Sequence, residues 1–390
     1  MAKKIGVGII GVQPNRSWGA VAHFPAIQSL PEYEIRALST TKLESAKAAA
    51  KTLGVPRAYD NTFELVNDPD VDLVVVTVKV PHHRELVTTA LEAGKHVYCE
   101  WPLGNGLEEA IEMDRLAKEK GVHAVVGLQS RSAPIVNLVK DMIAEGYIGD
   151  VLSTTLIGSG MSWGPIVEPG NAYNSDKKNG ATMLTIPMGH TLDALCYCLG
   201  EFKQIGALMA NRRTSTVIMP GGQRIPLTAE DQVAVNGILT NGTFVSVHYR
   251  GAMCKGTNLL WEINGTEGDL RISGTGGHLQ LLDVKLSGAR FDDPVPATGD
   301  DLPGTDHGEA MALATEEYQT LQPIVIPEEY YPATSGVPAM IHNIARAYSR
   351  LAQDLRNNTR LCPSFEDGVR RHRMIEAIEQ AAQTGTLQAL

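Results

Sequence analysis

His190 and Asp193 lie three residues apart in Gly189-His-Thr-Leu-Asp193, a spacing that puts both side chains on one face if the segment is helical. An imidazole with an ordinary pKa of about 6.5 suits acid or base work near neutrality, and a neighbouring carboxylate can orient it or meet substrate hydroxyls. The preceding polar stretch, Asn171 to Gly180, offers Tyr173 and Lys177 as further proton donors. Near the N-terminus, Gly6, Gly8 and Gly11 close an apolar run and are followed by Val12-Gln-Pro-Asn-Arg-Ser-Trp-Gly19. Glycines in such a place let backbone N–H groups approach a pyrophosphate at a helix start. This loop is longer than a G-x-G-x-x-G turn, and it presents Gln13, Asn15, Arg16, Ser17 and Trp18 as contacts for phosphate or ribose.

The elements that must position these groups follow from periodicity. Ile5–Gly11 reads as a strand, and a helical pattern over about 20–30 comes after it. The alternation recurs in Tyr33–Ser39 then Leu43–Leu53, Leu73–Val78 then Arg84–Ala93, His96–Glu100 then Leu107–Lys120, and His123–Leu128. Strands apolar at nearly every position are covered on both faces, which predicts an α/β Rossmann domain, a doubly wound parallel sheet over residues 1–130. From about Val151 the texture becomes spaced β runs with Asn241-Gly242 and Asn264-Gly265 as turn signals. Residues 131–390 are therefore expected to form an α+β domain with a large, open, mostly antiparallel sheet. A Gly/Pro/Asp-rich excursion over Gly288–His307 and two closing helices, about Ala339–Arg356 and Glu366–Ala382, complete that domain.

The end of the second strand decides which dinucleotide is preferred. Ser39-Thr-Thr41-Lys42 lacks the carboxylate that would accept both ribose hydroxyls, and its lysine can attract a 2′-phosphate, so NADP(H) is favoured over NAD(H). A net charge of −10 repels nucleic acid. No apolar run approaches the ~20 residues of a membrane span, and no secretory core follows Met1, so the expected place is the cytoplasm. Five cysteines without paired zinc spacing read as reduced residues, and the adjacent His82 and His83 as loop residues with no metal. Arg131 is left open between a phosphate, a substrate anion and an internal carboxylate, and Trp18 and Trp163 between a pocket wall and packing.

The run Ala93-Gly-Lys-His-Val-Tyr-Cys-Glu-Trp-Pro-Leu103 resembles the AGKHV-CEKPL signature of the Gfo/Idh/MocA (glucose-fructose oxidoreductase / inositol dehydrogenase) family. Gly127-Leu-Gln-Ser-Arg131, Ala144–Val151 and Ile263–Leu270 extend the resemblance across both domains. It implies cofactor contacts at Val78, His83, Glu100, Trp101 and Gln129, a sugar- or polyol-like substrate, and His190 in the catalytic set. Two departures stand out. The family lysine of Glu-Lys-Pro is Trp101, whose N–H can donate but cannot act as a base, and the polar residue four positions before the histidine is Ile186. Glu-Trp-Pro, the enlarged loop and His23–Ile27 are most similar to the branch of yeast galactose-regulon repressors, which bind a dinucleotide and act by binding protein. The resemblance thus implies an NAD(P)-dependent oxidoreductase with an unusual site, acting on a sugar-like substrate or a polarised C=N or C=C bond. The alternatives are a non-catalytic dinucleotide-binding regulator and an enzyme that reuses the pocket without net redox change. The open sheet, which needs cover, suggests a homo-oligomer.

Overall fold

The computed structural model describes residues 3–14, 16–291, 320–331 and 337–390. Its first sheet holds β1 (Ile5–Ile10), β2 (Tyr33–Ser39), β3 (Arg57–Tyr59), β4 (Leu73–Val76), β5 (His96–Glu100) and β6 (Ala124–Gly127). They pair in parallel throughout, in the order β3-β2-β1-β4-β5-β6. Every residue of β4 is buried because helices cover both faces. Helices α1 (Phe24–Gln28) and α2 (Leu43–Leu53) pack on one face, and α3 (Thr62–Val66), α4 (His83–Glu92) and α5 (Leu107–Lys120) on the other. The strand order reverses between β1 and β4, and the crevice beyond their C-terminal ends is where such sheets take ligands.

The helix expected over about 20–30 begins with one wide π turn, Gly19–His23, in which the Phe24 N–H reaches Gly19 O, before α1 proper. Pro25 has no N–H to continue the ordinary ladder, which favours the wider turn.

Beyond α6 (Pro134–Ala144) come β7 (Val151–Ser159), β8 (Ile166–Val167), α7 (Gly189–Leu199), β9 (Phe202–Ala210), β10 (Ser215–Ile218), β11 (Gln223–Pro226), β12 (Gln232–Leu239) and β13 (Phe244–Arg250). Then follow β14 (Leu259–Gly265), β15 (Gly268–Gly274), β16 (Val284–Arg290), β17 (Gln322–Pro323), α8 (His342–Asn357), α9 (Phe365–Thr384) and β18 (Gln388–Ala389). A nine-stranded sheet runs β17-β16-β15-β14-β7-β13-β12-β9-β18, and all its pairs are antiparallel except β7 with β13. β8, β10 and β11 form a small separate sheet that the sequence pattern does not signal. The Asn241-Gly242 signal does join β12 to β13, with Gly242 at φ +93°. Asn264-Gly265 does not make the next turn. Gly265 ends β14, where a Cβ would come within 2.0 Å of Ile148 O, and Thr266 and Glu267 turn the chain instead. Of the Gly288–His307 excursion, the first three residues belong to β16 and residues 292–307 lie outside the described set.

Two cores hold the molecule together. One runs from Val74, Val76, Cys99 and Val126 on the first sheet through Trp101, Met188 and Leu192 into Tyr249 and Trp261 of the large sheet, which ties the domains into one apolar interior. The other lies on the opposite face of the first sheet, where Ile344, Tyr348 and Leu351 of α8 pack against Val7, Ile9 and Tyr98. The 131–390 segment expected as the second domain therefore returns α8 to the first. No helix among the described residues is long and apolar enough to cross a membrane.

Candidate functional site

The C-terminal ends of β1, β2, β4, β5 and β6 bring most of the sequence candidates together. Gly11 sits at φ +94°, and a Cβ there would lie 2.7 Å from Val78 Cγ1, so the β1 loop and the β4 loop are pressed together as only glycine permits. Gly19 plays the same part on the helix side, where a Cβ would meet Thr77 Oγ1 at 2.4 Å. Between them the loop is pinned by Ser17, whose hydroxyl accepts the Gln13 N–H at 2.8 Å while its own N–H reaches Gln13 O at 3.1 Å. Ser17 is thus a loop brace, while Gln13 and Arg16 are exposed and Trp18 is half-buried at the rim. Asn15 lies outside the described residues. The backbone cradle with no room for a side chain at Gly11 fits a dinucleotide pyrophosphate.

At the end of β2, Ser39 is buried and its carbonyl accepts the Gly11 N–H at 3.1 Å. Thr41 and Lys42 are exposed, and Lys42 makes no ion pair among the described residues. That stretch leaves Thr41 and Lys42 open to solvent at the end of β2.

On β5, Glu100 is held from two sides. Gln129 Nε2 donates to its Oε1 at 2.7 Å, and the same oxygen lies 3.1 Å from His23 Nε2, whose Nδ1 is 2.7 Å from Tyr348 OH. Glu100 and Gln129 therefore stand together at the ends of β5 and β6. His83 does not join them. It is buried, with Nε2 3.0 Å from Val78 O and Nδ1 2.9 Å from Pro102 O, and burial pushes its pKa down. A neutral imidazole carries one N–H, which on Nε2 donates to Val78 O while Nδ1 accepts from the Cys99 thiol at 3.4 Å, so the expected cofactor contact is corrected to a clamp between the β4 and β5 loops.

Trp101 is likewise corrected from a ligand contact to a plug. It is 4% exposed, its indole N–H donates to Thr185 O at 2.6 Å, and its ring leans on His372 at 4.8 Å between centroids. The slot that a family lysine would occupy is filled with an apolar ring whose one donor is committed to the second domain.

α7 starts against that ring; a Cβ on Gly189 would be 3.0 Å from Trp101 Nε1. His190, on the first turn, is buried and its Nδ1 has no partner among the described residues. Burial, with the neighbouring His278 adding to it, pushes the His190 pKa down to about 3. The imidazole is therefore neutral at pH 7, able to donate or accept a hydrogen bond but not to store a positive charge. Asp193 does not support it. Its carboxylate is fully buried and takes Arg131 Nε at 2.9 Å and Nη2 at 2.6 Å, with Arg371 Nε 3.6 Å away. The helical spacing holds, yet two guanidinium groups claim the Asp193 carboxylate. The expected catalytic role of Asp193 is corrected to a structural ion pair, and Arg131 resolves to its internal-carboxylate option, with Asp367 at 3.1 Å as second partner.

Tyr173 lies on a 3₁₀ segment, Pro169–Ser175, that caps the crevice from the second domain. Burial and the charge of Glu100 push its phenol up to about 12. Lys177 turns away to pair with Glu230 at 2.6 Å. Trp163 is buried and donates its N–H to Asn174 O at 3.0 Å, which stiffens the Tyr173 segment from behind. His278, whose Nε2 accepts the Met161 N–H at 3.3 Å, and Lys79, which sits over the Tyr173 ring, are the site residues that sequence reasoning missed. His278 belongs to no motif; Lys79 lies in Val78-Lys79-Val80, the run that replaces the family's Thr-Pro-Asn five residues before His83, and that departure was the available signal.

Two family models divide the chain: "Oxidoreductase family, NAD-binding Rossmann fold" matches residues 5–128, and "Gal80p, C-terminal domain" matches residues 134–274. Dehydrogenase aclE of Aspergillus oryzae is 30% identical over 99% of this chain and 98% of its own length. The chain belongs to the Gfo/Idh/MocA oxidoreductase family. Within that family it is also similar to the galactose/lactose metabolism regulatory protein GAL80 of Saccharomyces cerevisiae, 29% identical over 99% of this chain and 94% of the relative. A levoglucosan dehydrogenase solved in complex with NADH and L-sorbose has the same fold, with a TM-score of 0.81, 22% identity, and coverage of 99% of this chain and 98% of that one. The Gfo/Idh/MocA lysine is thus replaced in a chain whose relatives include both dehydrogenases and a regulator.

Proposed function

We propose that the protein is an NADP(H)-preferring oxidoreductase that reduces, or reversibly oxidises, a sugar- or polyol-like substrate or a polarised C=N or C=C bond. The observation that supports this best is His190, a buried imidazole with an unpartnered Nδ1 beside the plugged lysine slot. A polar atom left without a partner in an apolar interior is costly, and a substrate heteroatom would satisfy it. When bound, the nicotinamide gives or takes hydride at the carbon. Gly11, Gln13, Arg16 and Trp18 hold the pyrophosphate loop, Thr41 and Lys42 the 2′-phosphate, and Glu100 and Gln129 the inner end. His190 hydrogen-bonds the reacting oxygen or nitrogen as a neutral ring, and the Tyr173 hydroxyl closes the same rim.

A sugar-like substrate is supported by similarity to the levoglucosan dehydrogenase of Pseudarthrobacter phenanthrenivorans, 28% identical over 68% of this chain and 71% of that relative. A second reading, a dinucleotide-sensing regulator that binds protein, is favoured by the sealed Trp101 slot and by similarity to GAL80 over nearly its whole length. In either reading the outer face of the large sheet, with Phe244 64% and Leu208 74% exposed, is the surface proposed for a homo-oligomer.

The test is to titrate NADPH and NADH by fluorescence and then follow nicotinamide absorbance with aldoses, ketoses, imines and enones. Saturable NADPH binding with turnover that His190→Ala removes supports the enzyme. Binding without turnover in either protein establishes the regulator instead.

A further inference from the structure

Lys79 stands immediately beyond β4, at the point where the strand order of the first sheet reverses. It is exposed at the crevice, and its Nζ lies 4.7 Å from the centroid of the Tyr173 ring, a contact that spans the two domains. A cation over an aromatic face is held by the ring quadrupole, which restricts a long flexible side chain to one part of the cleft. The Tyr173 phenol is close enough to Glu100 to feel its charge, and Glu100 is the residue before Trp101. Lys79 and Tyr173 therefore meet across the crevice, near Glu100, while Gly189, the residue before His190, abuts the Trp101 indole nitrogen.

We propose that Lys79 is the proton-carrying group of this site, reaching from the β4 loop to do what a lysine at position 101 would do from the β5 loop. The inference rests on the oxidoreductase reading above. Reduction needs a two-electron hydride equivalent, for which the bound reduced nicotinamide is the source. As the substrate carbon of a C=O or C=N group gains that hydride, the π pair moves onto the oxygen or nitrogen. That atom takes a proton from the Lys79 ammonium, and the neutral amine left behind regains one from water, to which it is exposed. In the oxidative direction the amine accepts the hydroxyl proton and releases it to solvent. Tyr173 is the platform: its ring face fixes where Nζ waits.

The test combines a labelling measurement with kinetics. Lysine acetylation by acetic anhydride, read peptide by peptide with and without saturating NADPH, is expected to slow at least fivefold at Lys79 when cofactor is bound. Lys79→Met is expected to lower kcat by about a hundredfold or more, the usual size of a lost acid–base group, with NADPH affinity within threefold of wild type. Lys79→Arg keeps the charge but cannot give up its proton, and is expected to restore substrate KM without restoring kcat. Equal acetylation with and without NADPH, or a kcat for Lys79→Met within threefold of wild type, overturns the assignment of Lys79 alone. A wild-type protein that binds NADPH and turns over none of the substrate classes overturns the oxidoreductase reading, and this inference with it.

Discussion

Replacing Asp193 by Asn separates a catalytic residue from a structural one. The carboxylate is fully buried and accepts two hydrogen bonds from Arg131, with Arg371 at 3.6 Å. Asparagine keeps the shape and one acceptor, but turns an N–H toward guanidinium N–H groups and leaves positive charge uncompensated in the interior. Breaking one partner of a buried pair costs about 3–5 kcal/mol. Here Arg131 keeps Asp367 at 3.1 Å and Arg371 keeps Glu201, which places the loss at the low end, about 3 kcal/mol. At ~2 °C per kcal/mol for a chain of this size, the melting temperature should drop by about 6 °C. Differential scanning calorimetry measures that drop, and fluorescence titration at 15 °C should find NADPH affinity unchanged in the folded variant. Replacing both partners, Arg131→Met with Asp193→Leu, should be milder than the sum of the single changes by about 1.5 kcal/mol or more, because no lone charge is left at that contact. A variant Asp193→Asn that melts within about 1 °C of wild type yet loses its turnover would refute the structural assignment and return Asp193 to the catalytic set.

Other outcomes follow from the same geometry. Trp101→Phe removes the donor to Thr185 O and part of a buried ring; orphaning that carbonyl costs about 1–3 kcal/mol and the cavity adds to it, so stability in urea unfolding should fall by at least that much without changing cofactor affinity. Lys42→Ala should weaken NADPH about tenfold, the worth of one charge-assisted hydrogen bond, and leave NADH within twofold; equal losses for both would remove Lys42 from the 2′-phosphate site. His190, His278 and His372 are buried neutral, at about 3, about 4 and about 4, against an unfolded value near 6.5. Below 6.5 the unfolded chain binds more protons than the folded one, so stability is full above that pH and declines as pH falls toward 4. Melting temperatures from pH 7.5 to 4.5 should show the decline, and His278→Gln should make it shallower; an unchanged slope would remove His278 from the acid-sensitive set.

How far the sequence could be read depended on the range of the interaction. The Rossmann order was legible because apolar runs such as Leu73–Val76 and a glycine run at Gly6–Gly11 are local patterns with one structural solution. The same holds for the β12–β13 hairpin at Asn241-Gly242, and for the exposed, carboxylate-free end of β2. Local pattern failed wherever a contact came from far along the chain. Asn264-Gly265 carries a turn signal, but the close approach of Ile148 keeps Gly265 in its strand. The second domain's closing helix α8 covers the first sheet because Tyr348 and Leu351 find their apolar partners there.

The site divides in the same way. By itself the sequence determined that a dinucleotide cradle exists, that the family lysine is a tryptophan, and that a histidine begins the helix beside it. Only tertiary structure decided what each group is free to do. A side chain's chemistry is set by its burial and its neighbours: Arg131 and Arg371 hold Asp193 in a buried ion pair, the Val78 carbonyl and the Cys99 thiol occupy His83, and Thr185 ties down Trp101. Burial fixes His190 as a neutral ring, and a fold that carries Lys79 onto the face of Tyr173 brings a cation back to the site from another loop.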